Sequence, residues 1–311
     1  MHIMKRIVLI VGIVLCALAS VQAQQQVLSF FEENGTIRLE TEELDAAADT
    51  LVTVAHRKDD VVWARLVYRI IDLRYKQNYQ LYFPVNPDDP TYKSLFRLIL
   101  DAVQDSMPIY AKDPRNFKPI FNEETRIRPE KIREGEYFIA QDSEGEYDTQ
   151  DDETYLVNYD SISGKITLNF DRYNNFVKNQ VKYMIQEVIF FDRHTSRMHR
   201  QIIAIAPLQP DMASGNDPMT FLKGSIRFWI LYKDLRPYLA KNYLIPQQNE
   251  TKRVTFDDFF QKRLFTSYLV GEGNMYNRMI LDYAKTEEEA KKEQNRIETE
   301  LLTFEQDLWE Y

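Results

Sequence analysis

One stretch limits the folds open to this chain more than any other: residues 59–78, DDVVWARLVYRIIDLRYKQN. It is rich in aliphatic and aromatic groups, yet it carries Arg65, Arg69 and Arg74. Val62, Leu66, Ile70 and Leu73 fall at spacings of four, four and three, which predicts a helix over about 60–75. Asp59 and Asp60 suit its N-terminus, where carboxylates satisfy free amides. Trp63, Val67 and Ile71 widen the apolar stripe, so the arginines have apolar neighbours on both sides. An exposed ladder of Arg65, Arg69 and Asp72 would contribute roughly 0.2–0.5 kcal/mol per pair and would not account for those neighbours. Arginine tolerates partial burial because its planar fork pairs with carboxylates and its stem packs on apolar surface. Arg, Trp and Tyr together are also what a buried interface centre favours. Trp63, Arg65 and Arg69 are therefore expected in a buried or interfacial polar seam.

The remainder reads as alternating blocks. LYFPVNP at 81–87 reads as extended, and Asp89-Pro90 as the start of a second helix with Tyr92, Leu95, Phe96, Ile99 and Val103 on its apolar face. TYLVNY and KITLNF flank a Ser163-Gly164 turn, and YMIQEVIFF and HRQIIAIAP flank the polar DRHTSRM, giving two hairpins. The second hairpin has a basic tip containing Arg193 and Arg197, a candidate contact surface. SIRFWILY at 225–232 reads as a strand, DLRPYLAKN as a turn or short helix, and TFDDFFQKRLFTSYL as a third helix capped through Thr255 and Asp258. Aligning Asp59 with Asp257 also matches Arg65 with Arg263 and Leu66 with Leu264, which predicts similar environments for the two segments. A second seam would then involve Arg263, Tyr268 and Arg278. From Glu287 to Tyr311, Ala290, Ile297, Leu301, Phe304 and Leu308 form a narrow apolar seam with Gln294 in the polar slot. Such a helix docks on its own domain or on a partner. Strands and helices are segregated, so the class is α+β: antiparallel strands and hairpins with a long C-terminal amphipathic helix.

Lys5-Arg6, an uncharged run from Ile7 to Leu18 and Val21-Gln22-Ala23 predict a secretory signal peptide over 1–23. Cys16 lacks the small preceding residue that lipidation requires, and after residue 23 the chain has no cysteine. Residues 24–54 read as an extended or disordered arm. QDSEGEYDTQDDE at 141–153, seven acids without a base, reads as a solvated loop between an N-terminal half, 55–140, and a C-terminal half, 154–311. Its single Gly145 does not fit a calcium-binding EF-hand loop. Without residues 1–23 the formal charge moves from −9 to −11, which disfavours nucleic acid as a partner.

The sequence offers no catalytic constellation. It has no P-loop, GxGxxG, nucleophile elbow or HExxH spacing. His194 and His199 lie among Arg193, Arg197 and Arg200, which would repel a metal cation. Paired carboxylates such as Asp59-Asp60 and Asp257-Asp258 sit where helix capping explains them. No catalytic, cofactor-binding or metal-binding residue is expected.

DDVVWARLVYRIIDLRYKQN followed by LYFP, then FDRHTSRMHRQIIAIAP, FWILYKDLRPYLA, FDDFFQKRLFTSYLVGEGNMYNRMI and the closing EQDLWEY resemble the gliding-motility and type IX secretion family GldN, or PorN in non-gliding relatives. The resemblance implies a periplasmic, non-enzymatic subunit of the secretion apparatus. It also implies a ring formed with an outer-membrane lipoprotein (PorK or GldK), so that membrane association is indirect, and contact with the periplasmic part of the inner-membrane motor component (PorM or GldM). No catalytic residues carry over. The competing class is a periplasmic protein that binds or hydrolyses peptidoglycan, which would need a cleft where carboxylates converge with Tyr or Trp.

Overall fold

The structure is a computed structural model that describes residues 60–86, 91–112, 119–132, 137–138, 155–169, 177, 180–209, 225–246, 253–274 and 278–308. The expected signal peptide, the arm at 24–54, the acidic segment 141–153 and Tyr311 lie outside the described residues.

The opening segment is a strand. β1 runs Val61–Asp72 through the interior of an antiparallel sheet, not as the helix its four-and-three spacing predicts. Two patterns coexist in it. Trp63, Arg65, Val67, Arg69 and Ile71 alternate onto one face, while Leu66, Tyr68 and Ile70 line the other. A strand with buried groups on both faces has no clean period of two, and its apolar run imitates a helical stripe. The strong β-formers, Val61, Val62, Trp63, Val67, Tyr68, Ile70 and Ile71, favour the extended state.

β4 (Lys182–Asp192) pairs with β1 along nearly its whole length, with Val67 opposite Glu187 and Arg69 opposite Ile185. β5 (Arg197–Gln209) returns antiparallel to β4, forming the expected hairpin. β6 (Ser225–Ile226) and β7 (Ile230–Leu231) pair with β5, and β8 (Tyr268–Glu272) pairs with β1, giving the order β6-β5-β4-β1-β8. The expected continuous strand at 225–232 is broken because Trp229 turns to exchange hydrogen bonds with Tyr110 (2.9 and 2.8 Å). β2 (Val157–Asp160) and β3 (Lys165–Leu168) form the separate small hairpin, with Gly164 at φ +66 in its turn.

The helices are short apart from the last. α1 is the single turn Tyr79–Tyr82, so Leu81 and Tyr82 of the expected extended segment 81–87 are helical, Phe83 is extended, and residue 87 lies outside the described residues. α2 (Leu95–Gln104) begins at Ser94, whose hydroxyl accepts from the Arg97 amide at 3.3 Å. That is later than Asp89-Pro90, and Tyr92 is not part of it. Leu95, Phe96, Ile99 and Val103 do form its buried face. α3 is Tyr232–Lys241, and α4 covers only Phe256–Gln261 of the longer helix expected there. Arg263 ends that region in the left-handed conformation (φ +53) and Phe265 folds back onto Phe259 and Phe260. The matched pair Arg65 and Arg263 therefore occupy a strand and a post-helix turn, and the similar environments expected of the two segments are not found.

α2, α3 and α4 pack with Ile71, Tyr183, Ile185, Ile202 and Ile205 in one core, to which Leu98, Ile109 and Phe138 contribute from one side of the acidic segment and Leu156, Phe228 and Leu235 from the other. Buried Asp257 joins α3 to α4 by accepting from Tyr232 Oη (3.0 Å) and both arms of Arg236 (2.9 and 2.8 Å). Buried Asn78 links the end of β1 to the entry of β8, donating to the Asp72 and Thr266 carbonyls and accepting from the Thr266 amide. The Thr255 hydroxyl accepts from the Asp258 amide at 3.1 Å. Thr255→Ala should cost about 1 kcal/mol, read as a lower urea midpoint at unchanged slope.

Candidate functional site

The arginines of β1 face the last helix of their own chain. α5 runs Glu287–Asp307, capped by Thr286 Oγ1 accepting from the Glu289 amide at 3.2 Å. Its narrow seam buries Ala290, Ile297 and Leu301 in a cluster with Val67, Ile189 and Leu269 of the sheet. Gln294, the polar slot in that seam, donates to the Leu269 carbonyl at 2.6 Å. The Phe304 ring stacks on Trp63 at 4.5 Å between centroids, and Leu308 is half-buried.

Flanking this seam is a ladder of ion pairs. Arg65 meets Glu300 of α5 at 2.9 Å and Glu272 of β8 at 3.2 Å. Arg69 meets Glu298 at 3.1 Å and Glu187 at 3.5 Å. Glu187 is fully buried and is also gripped by both arms of Arg263. Arg200 reaches Glu305 at 3.5 Å, and Arg296 bridges Glu293 and Glu300 on α5 itself. Apolar neighbours on one strand thus coexist with arginines because α5 brings its own glutamates to them. Sequence reasoning did not single out Glu187, Glu272, Glu298 or Glu300; the signal was the excess of Glu on α5 opposite a strand of Arg.

The second expected seam is not one surface. Arg263 reaches Glu187 on the α5 side of the sheet, while Tyr268 pairs with Ile70 and so faces the opposite side. There burial, and then the Asp72 charge, push the Tyr268 hydroxyl pKa up. Arg278 is exposed, as are Arg193 and Arg197 at the hairpin tip.

Hydrogen bonding from Arg65 holds the Glu300 carboxyl below the ordinary carboxylate range, and Arg296 does the same for Glu293. A depressed carboxyl pKa stabilises the folded state above the unfolded value, about 4.3, and the contribution is lost as pH falls through the folded value. Acidification below about pH 4 should therefore loosen α5 first. Hydrogen-exchange protection of the α5 amides should drop before that of the β4 amides.

Among the described residues, no group of three or more His, Cys, Asp or Glu is placed to hold a metal ion. Among them, too, no helix is long and apolar enough to cross a membrane. An open groove of about 690 Å³ is lined by Tyr79, Phe83, Pro84, Ile245 and Lys76 among others, and no carboxylate lines it. No curated protein matches the chain. Residues 56–310 match the family described as gliding motility associated protein GldN, which covers β1 through α5, and the chain belongs to that family.

Proposed function

We propose that the chain is a non-enzymatic structural subunit of the type IX secretion and gliding machinery, working in the periplasm after removal of residues 1–23. In this reading it joins a PorK- or GldK-like outer-membrane lipoprotein in a ring and contacts the periplasmic part of a PorM- or GldM-like motor protein. The observation that carries the reading is the family match across 56–310. The basic pair and uncharged run at residues 5–18 support export to the periplasm.

The test is affinity capture of the tagged protein from its native envelope after mild detergent extraction, with sizing and identification of what accompanies it. Recovery in a large particle with a lipoprotein and an inner-membrane motor protein is the expected result. Recovery as a free monomer would overturn the reading. Binding to purified sacculi would then be the next measurement.

A further inference from the structure

The outer half of the β4–β5 hairpin is flanked by β1 along β4, up to Val61 opposite Asp192, but not along β5. β8 pairs with β1 from Val67 onward, β7 pairs with β5 at Ala204 and Ile205, and β6 pairs at Leu208 and Gln209. Among the described residues, nothing pairs with the outer edge of β5 from Arg197 to Ile203. An unpaired edge presents a row of backbone N–H and C=O groups to any extended chain.

The side chains along this edge share one sign of charge. Arg197, His199 and Gln201 lie on one face, with Arg193 and His194 at the turn, and Arg200 lies on the other face, where it is already paired with Glu305 at 3.5 Å. Arg193 is 72% exposed and meets Asp60 only at 4.0 Å. The nearest acid of the hairpin, Asp192, is buried and accepts from the His194 amide at 2.8 Å. The tip is tied to the sheet: the Arg193 amide donates to the Asp60 carbonyl at 2.9 Å, and the His199 ring stacks on Phe190 while Nε2 lies 2.9 Å from Thr195 Oγ1.

We propose that the Arg197–Ile203 edge takes an extended acidic segment of a partner protein as an added strand. The partner's backbone completes the ladder, and its carboxylates meet Arg193 and Arg197. Main-chain pairing supplies affinity in such complexes and alternate side chains supply specificity. The arginine fork matches carboxylates in particular. A lipid surface fits less well, because interfacial binding requires apolar groups that can be inserted. Val62 is exposed beside the tip, but Trp63 is occupied by Phe304. Positive residues on an edge also deter unwanted pairing; that role alone predicts no acidic ligand.

The test uses the full chain and a fluorescein-labelled peptide of alternating Glu and Thr. A Lys/Thr peptide serves as control, as do phosphatidylcholine vesicles with about one-third phosphatidylglycerol. The Glu/Thr peptide should bind, and binding should weaken about tenfold or more in Arg193→Glu with Arg197→Glu. It should also weaken as salt is raised from about 50 to about 500 mM. Amides of 197–203 should exchange more slowly when peptide is bound. Arg193→Gln with Arg197→Gln replaces the reversal should that variant fold poorly. Absence of peptide binding, or binding of vesicles alone, would overturn the proposal. Peptide binding without protection of the edge amides would do so as well, by showing that side chains alone make the contact. None of these outcomes bears on envelope capture, so the family-based reading stands or falls separately.

Discussion

Glu187→Ala is expected to lower folding stability by about 3–5 kcal/mol, a large part of the roughly 5–15 kcal/mol of a folded domain. The carboxylate is fully buried on β4 opposite Val67, with Arg69 on one side and both arms of Arg263 on the other. Removing it takes from Arg263 its buried carboxylate and leaves Arg69 with Glu298 at 3.1 Å, so two largely buried guanidinium groups share less negative charge, which costs more than the pair itself contributes. Arg65→Ala should behave differently. Of its two partners Glu300 is 47% exposed and Glu272 keeps Arg296 at 3.8 Å, so the expected loss is about 1 kcal/mol. Urea midpoints at constant slope give both values. A companion variant, Glu187→Leu with Arg69→Met and Arg263→Met, separates lost attraction from stranded charge. It should recover most of the stability, because an apolar group of similar volume is no worse than a buried ion cluster. A loss below about 1 kcal/mol for Glu187→Ala would contradict the account.

How far the sequence disclosed this arrangement differs from element to element. The β4–β5 hairpin is legible because the mainly polar stretch DRHTSRM separates its two apolar runs, and the C-terminal helix because its seam is unbroken by Gly or Pro. β1 is ambiguous in sequence because Val62, Leu66, Ile70 and Leu73 satisfy a helical spacing while Trp63, Arg65, Val67 and Arg69 satisfy a strand spacing. Its run of β-branched and aromatic residues was the available tie-breaker. The helix expected over TFDDFFQKRLFTSYL ends at Gln261 because Arg263 turns toward Glu187, a partner 76 positions away. No local pattern encodes such a pairing. For the same reason the arginines could be recognised as belonging to a polar seam, but not matched to Glu298 and Glu300. Those contacts span 229 and 235 residues and depend on how α5 lies across the sheet.

Substitutions along the α5 seam should show a gradient that also reports whose helix this is. Ile297→Ala is expected to cost about 2–5 kcal/mol, since its side chain is fully buried against the sheet, and Leu301→Ala falls within the same range. Phe304→Ala should cost less. Its ring is half-buried, and the stack on Trp63 contributes about 0.5–1.5 kcal/mol beyond area. A chain ending at Lys285 would lose the whole seam, uncover Val67, Ile189 and Leu269, and leave Arg65 and Arg69 without their α5 glutamates. Because α5 docks on its own sheet, the melting temperature of each point variant should be independent of protein concentration. A helix supplied by a second copy would make it concentration-dependent by mass action. The distinction decides where assembly variants belong. A partner that paired with Arg65 or Arg69 would have to compete with their α5 glutamates, whereas Arg193, Arg197 and Arg278 are exposed with α5 in place. Charge reversal at those three positions should therefore alter association while leaving the folding stability of the isolated chain, read by urea unfolding, within about 0.5 kcal/mol of the parent.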